Sequence, residues 1–202
     1  MTTQAAEKVY RSLGADCRVE VELAAAAGSW LEWLPHETIL FDGARLDRVT
    51  RVEHAPGARV LAGEMMVFGR RAHGETLTRG RLRDAWEVRR QGRLMWADAL
   101  AVAGDIAAVL AAPACFAGAA AVATAIYVGV GSSDALSLAR DLTAGSSVGE
   151  MAAAVTCVAG VLICRWLGRD ALALRQAVGR FWAAFRQRVG GLPPELPRVW
   201  LT

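Results

Sequence analysis

Lysine is almost absent from this chain. Lys8 is the only one, so arginine supplies nearly all of the 23 positive charges. Against 20 acidic residues the formal net charge is only +3, too weak a field to argue for nucleic acid by itself. Cysteine is sparse and scattered: Cys17, Cys115, Cys157 and Cys164 form no C-x-x-C pair. That speaks against a disulfide framework, and reduced thiols in the cytosol are the expected state. The three histidines, His36, His54 and His73, have no partner at the i, i+4 spacing of a helical metal site. There is no P-loop, no G-x-S-x-G, no H-E-x-x-H and no dinucleotide fingerprint. The chain is therefore expected not to be an enzyme. No signal peptide is visible, because the first residues are polar and include Glu7, Lys8 and Arg11.

Charge is also missing from one long stretch, Ile106 to Ser133. A spanning helix needs about 20 apolar residues, so the run is long enough to be tested as one. Its composition argues otherwise. It is mostly alanine and glycine, Pro113 interrupts it, and Gly118, Gly129 and Gly131 weaken it further. A buried core segment is expected, not a membrane span, and the location is expected to be cytoplasmic.

What the chain has in abundance is hydrophobic residues, at 54%, which excludes disorder. The first half alternates. Cys17 to Leu23 reads polar–apolar with period 2, the signature of a half-buried strand. Arg45–Glu53 and Arg59–Phe68 follow across the turn His54-Ala55-Pro56-Gly57. Thr76–Arg89 alternates again, with Leu82, Trp86 and Val88 inward, and Gln91-Gly92 makes a hairpin turn before Leu94-Met95-Trp96. The second half changes character. Ala121–Val130 reads as a buried strand, Ser133-Asp134 starts a helix through Leu142, and Met151–Cys157 and Val161–Leu167 form a hairpin around Gly160. Asp170 caps a long amphipathic helix to about Val189. Its apolar side is expected to carry Leu172, Val178, Phe181 and Phe185, with Arg175, Arg180, Arg186 and Arg188 largely exposed. The expected fold is mainly β (α+β): stacked antiparallel layers, with an α+β C-terminal part carrying two helices. Residues 1–104 form the strand region and 105–202 pack on it, as one structural unit.

One pattern recurs inside the strand region, a carboxylate followed four positions later by phenylalanine. Glu37 precedes Phe41 in one copy and Glu64 precedes Phe68 in the other. Each copy follows a Gly-led strand, which reads as an internal repeat stacking sheet layers. Glu37, Asp42, Glu64 and Glu75 thus sit in or beside apolar strands, where a carboxylate is costly to bury unless paired or lining water. One reading is a structural ion-pair network with Arg45, Arg70, Arg71 or Arg79. The other is a polar passage through the layers, since carboxylate and water ligands suit a divalent ion in transit. His36 and Glu37 point to opposite faces of a strand and make no joint site. The runs Arg79-Gly80-Arg81-Leu82-Arg83 and Arg89-Arg90 are interrupted by Asp84 and Glu87 and carry few aromatics. They read as a solvated strand face rather than an RNA surface. Trp30, Trp33, Trp182 and Trp200 are candidates for the core or for a partner-facing surface.

The run WLPHETILFDGARL (Trp33–Leu46), then APGARVLAGEMMVFGR (Ala55–Arg70), then GETLTRGRLRD (Gly74–Asp84) resembles the urease accessory protein D family, UreD or UreH. The opening TTQAAEKVYRS resembles an interior motif of that family, and Pro197-Arg198-Val199-Trp200 resembles its C-terminal tail. In the family the opening motif lies well inside the chain, so the resemblance implies a chain shortened at its N-terminus. It also implies a urease maturation factor that binds urease apoprotein and a UreF-like helical partner. With a UreG-like GTPase it would assist nickel delivery to a di-metal site where a lysine is carbamylated. No cofactor is expected to be tightly bound; nickel would be in transit along a water-filled passage. Glu37, Asp42, Glu64 and Glu75 would be its candidate carboxylates, supported by Arg70 and Arg79. The alternative is an assembly scaffold, or a truncated remnant, without metal transfer.

Overall fold

β5 (Arg45–His54) shows how the chain builds its sheets. Leu46, Arg48, Thr50, Val52 and His54 are buried and the residues between them are partly exposed. β2 (Cys17–Ala25), β5 and β7 (Arg79–Arg90) lie side by side and parallel, and β8 (Arg93–Asp105) closes this four-stranded sheet as an antiparallel hairpin partner of β7. The hairpin turns at Gln91 and Gly92, both at positive φ, as a tight two-residue loop demands. The structure, a computed structural model, describes residues 1–144 and 151–201.

The second sheet has seven strands. β1 (Glu7–Val9), β4 (Thr38–Leu40), β6 (Arg59–Phe68), β9 (Ala121–Val128), β11 (Val161–Gly168) and β10 (Met151–Val158) lie in that order, and β3 (Trp30–Trp33) shares the edge of β6 with β4. β3, β4 and β6 are parallel; β9, β11 and β10 are antiparallel to their neighbours. β9, from the second half of the sequence, therefore lies directly against β6 from the first half. From β2 to β7 the chain alternates between the sheets and advances in coils. Cys17 lies beside Leu46 in one sheet and Trp30 beside Arg59 in the other, the same step along the chain in both. The mainly-β, α+β class expected from sequence holds. The sheets are mixed instead of antiparallel throughout, because the coil returns each strand to its sheet in the same direction. Gly80 belongs to one close approach within this coil: a Cβ there would collide with the Ala44 carbonyl oxygen.

Among the described residues there are three α-helices, one more than expected: α1 (Ile106–Ala111), α2 (Ala135–Ala144) and α3 (Ala171–Gly190). α2 and α3 cover the outer face of the large sheet, where Leu174, Val178, Phe181, Trp182 and Phe185 pack against Leu61, Met65, Tyr127 and Leu162. α3 begins as expected, with Asp170 accepting from the Ala173 amide at 3.0 Å, and ends at Gly191 in the left-handed conformation. Asp170→Ala is expected to cost about 1 kcal/mol, the usual value of such a cap, read from a urea unfolding midpoint. Two expectations for α3 are corrected. Leu172 is 64% exposed, because it falls in the first turn, beyond the reach of the sheet. Arg175 and Arg186 are mostly buried, each paired with a carboxylate, Glu37 and Glu32 respectively. No helix among the described residues is long and apolar enough to cross a membrane.

Candidate functional site

The space between the two sheets is filled by two separate apolar clusters. One gathers Leu40, Leu46, Met66, Phe68, Leu82 and Phe116. The other gathers Leu23, Val52, Val60, Val88, Ile126 and Ile163. Between them lies a polar layer contributed by both sheets. Arg48 on β5 is its centre. Its Nη2 is 2.8 Å from Glu64 Oε2 on β6. Its Nε and Nη2 donate to the two oxygens of Asp84 on β7, at 2.8 and 3.0 Å. Its Nη1 donates to Thr38 Oγ1 on β4 at 2.9 Å. The Trp86 indole N–H donates to Glu64. All three charged side chains are at most 6% exposed. Thr50 Oγ1, inward-facing on β5 like Arg48, has no hydrogen-bond partner, so the layer has polar capacity that water or a ligand would satisfy.

The charges do not balance. One guanidinium faces two buried carboxylates. Burial drives Glu64 upward first of all; Arg48 pulls it back, but Asp84 beside it pushes it up again, and its affinity for a proton ends well above the usual carboxylate range. Burial alone would weaken Arg48 as a base, yet Glu64 and Asp84 raise it further above its ordinary value. Arg48 thus stays charged, and Glu64 holds a proton more readily than an ordinary carboxylate.

The layer reaches solvent on both sides. A cavity of about 490 Å³ runs from Glu64, Asp84 and Trp86 past Met66 and Leu100 to Asp98 and Arg165. Those last two form an ion pair, with side chains 36% and 48% exposed. On the other side Thr38 Oγ1 donates to Glu7 Oε2 at 3.4 Å, and Glu7 is exposed. Charged and polar groups therefore cross the full sandwich, from Asp98 and Arg165 to Glu7.

The four carboxylates expected from sequence are not gathered at one point. Glu64 is in the layer. Glu37 lies on the opposite face of the large sheet, 3.4 Å from Arg175 of α3. The reason is register. Matching the two copies of the repeat, Glu37 to Glu64, would set Thr38 beside Met65. Thr38 instead lies beside Met66, and Leu40 beside Phe68, one position out of step with the repeat. A one-residue difference exchanges the faces of a strand. Asp42 and Glu75 sit together elsewhere, bracing loops. Asp42 Oδ1 accepts from the Thr78 amide at 2.9 Å, the Thr78 hydroxyl at 2.7 Å and the Arg79 amide at 3.2 Å. Burial pushes Asp42 up, but these bonds outweigh it and hold the carboxyl below its usual value. Glu75 accepts from the Asp42 amide at 3.1 Å and pairs with Arg70. Arg79 lies 3.7 Å from Asp42. Arg70 thus pairs with Glu75, and Arg79 with Asp42.

Asp84 and Arg48 were not anticipated as site residues. The sequence did carry the signal: Asp84 shares its parity with Leu82 and Trp86, both read as inward, and Arg48 shares its parity with Leu46 and Val52. His36 is a structural tether, with Nε2 2.7 Å from the Val199 carbonyl oxygen and Nδ1 3.2 Å from Thr3 Oγ1. Among the described residues no group of three or more His, Cys, Asp or Glu is placed to hold a metal ion. What the layer offers is a pair of carboxylates at the end of a cavity, already occupied by a protein cation.

A family model described as UreD urease accessory protein matches residues 1–201. A urease accessory protein UreD of Magnetococcus marinus is 48% identical over 200 residues, covering 98% of this chain and 69% of the relative. One from a Methylobacterium species is 43% identical over 204 residues, covering 100% and 70%. One from Azorhizobium caulinodans is 43% identical over 202 residues, covering 99% and 70%.

Proposed function

Because this chain belongs to the UreD urease accessory protein family, we propose that its role in urease maturation includes passing nickel along the polar layer between its sheets. The supporting observation is the Glu64–Asp84 pair, buried at the inner end of a cavity of about 490 Å³ whose outer residues are Asp98 and Arg165. Carboxylates and water hold a divalent ion weakly enough to release it, which a carrier route needs; a closed thiolate or imidazole site would retain it. Arg48 holds the pair in place when no ion is there, and a passing cation competes with it for the same oxygens. The chain binds urease apoprotein and a UreF-like helical partner, and a UreG-like GTPase joins through that complex. The protein has no catalytic step of its own in this scheme.

The test is co-expression with the urease subunits and the accessory partners. Glu64→Gln and Asp84→Asn remove charge with little change in shape and leave Arg48 one carboxylate. Both variants are expected to co-elute with the complex on size exclusion. Metal analysis of the purified urease should then show a severalfold drop in nickel. Glu37→Gln, on the other face of the sheet, should leave nickel unchanged. Full nickel content in both layer variants would overturn the passage. A scaffold role without transfer is the second reading, favoured by the use of Asp42, Glu75 and Glu37 as braces between loops and helix.

A further inference from the structure

The helices do not cover the whole outer face of the large sheet. α3 starts at Ala171, and beyond it no helix among the described residues covers the corner formed by β1, β4 and the end of β6. Ile39 and Val67 are only partly buried there, and Phe41 lies beside them. A groove of about 670 Å³ results, within the range of sites that take ligands or partner side chains. Two large apolar side chains project at its margins, Tyr10 at 62% exposure and Leu172 at 64%. Neither is needed for the core, and both border one groove.

The rim is basic. Lys8, Arg70, Arg71 and Arg169 line it, with Asp170 the only carboxylate among the described residues that line it. Asp170 is engaged as the cap of α3, and Glu75, outside the groove, pairs with Arg70. Arg71 and Arg169 donate to main-chain carbonyls between Ala117 and Ala119. Among the described residues Lys8, Arg71 and Arg169 have no carboxylate partner. The N-terminal end of a 20-residue helix adds positive potential at the same place. A chain with a net charge of only +3 thus concentrates unanswered cations around one apolar floor. Among the described residues β1, three residues long, is the end strand of the sheet.

We infer that this groove is a docking surface for an extended acidic segment of a protein partner, with its carboxylates on Lys8, Arg71 and Arg169 and an apolar side chain between Tyr10 and Leu172. Apolar anchors within a cationic rim fit such a segment. A polynucleotide fits poorly, since one exposed ring, Tyr10, packed edge-on to Phe41 at 4.7 Å, makes no stacking platform. A bilayer fits poorly too, since two projecting side chains bury little area. The groove and the polar layer lie on opposite faces of the sheet, so docking at one does not require passage through the other.

The experiment pans a random phage-displayed library of short peptides against the intact protein. Recovered peptides should be enriched in Asp and Glu with Leu or an aromatic residue between them. Their synthetic versions should lose affinity about tenfold in Lys8→Glu/Leu172→Asp, and lose it steeply as salt rises. Both positions are exposed, so the thermal melt should be unchanged, and Lys8→Arg should bind as the parent does. Peptides without acidic enrichment, or equal binding by the double variant, would overturn the docking surface. So would tighter binding of a labelled oligonucleotide or of anionic phosphatidylserine vesicles through these same residues. A nickel defect with normal peptide binding, or the reverse, separates this surface from the passage.

Discussion

Replacing Arg48 by alanine is expected to lower the unfolding free energy by about 3–5 kcal/mol, the typical loss when one member of a buried ion network is removed. Arg48 holds Glu64 and Asp84 from two sheets at 2.8 Å each. Without it, two buried carboxylates remain side by side with one indole N–H donating to Glu64. The loss should show as a lower urea midpoint, with the slope of the transition little changed. Arg48→Met with Glu64→Gln and Asp84→Leu should recover much of the stability, because apolar or neutral groups of similar size often replace a buried ion network without loss. If the single variant were as stable as the parent, Arg48 would not be the clamp described. If the triple variant were stable but failed in nickel transfer, the layer would be shown to be kept for its chemistry and not for the fold.

Trp182→Ala is expected to have a comparably large effect, about 3–5 kcal/mol, as for other buried aromatic truncations. Trp182 is fully buried in the cluster between α3 and the large sheet. Its ring packs so closely on β6 that a Cβ on Gly63 would lie 2.9 Å from the indole. Its N–H donates to Glu32 Oε2 at 3.0 Å, and Arg186 holds the other oxygen at 3.0 Å. Alanine would leave a cavity under the helix and remove one of the bonds that tie α3 to β3. Trp182→Phe should lose less, since it fills most of the space but still lacks the donor. Chemical denaturation measures both. A loss below about 1 kcal/mol for the alanine variant would mean that α3 is not docked as a core helix.

Local pattern carried much of this chain. Alternation at Leu82, Trp86 and Val88, the Gln91-Gly92 turn, the hairpin around Gly160 and the Asp170 cap could all be read from neighbouring residues, because each is decided within a few positions by side-chain direction, backbone freedom or a single hydrogen bond. The family was legible for a related reason: the residues that mark it, from Trp33 to Asp84, lie in the coils that define this fold. The site was half legible. Glu64 was recognised as a carboxylate among apolar neighbours, while Asp84 was read with the arginines around it as part of a solvated face, although its parity with Trp86 places it inside.

The sequence by itself thus determined most of the strands and two of the three α-helices among the described residues, which residues face inward within most of them, and which family the whole resembles. It left open the direction and partner of each strand, since alternation specifies a face but not a neighbour. The tertiary structure decided that β2, β5 and β7 run parallel, that β9 lies against β6, and that β4 pairs with β6 one position out of step with the repeat. That single step separates Glu37 from Glu64 and joins Glu64 instead to Arg48 and Asp84. Hydrogen-bond register between distant strands sets that grouping, and it depends on how the whole coil closes, not on any stretch of sequence taken alone.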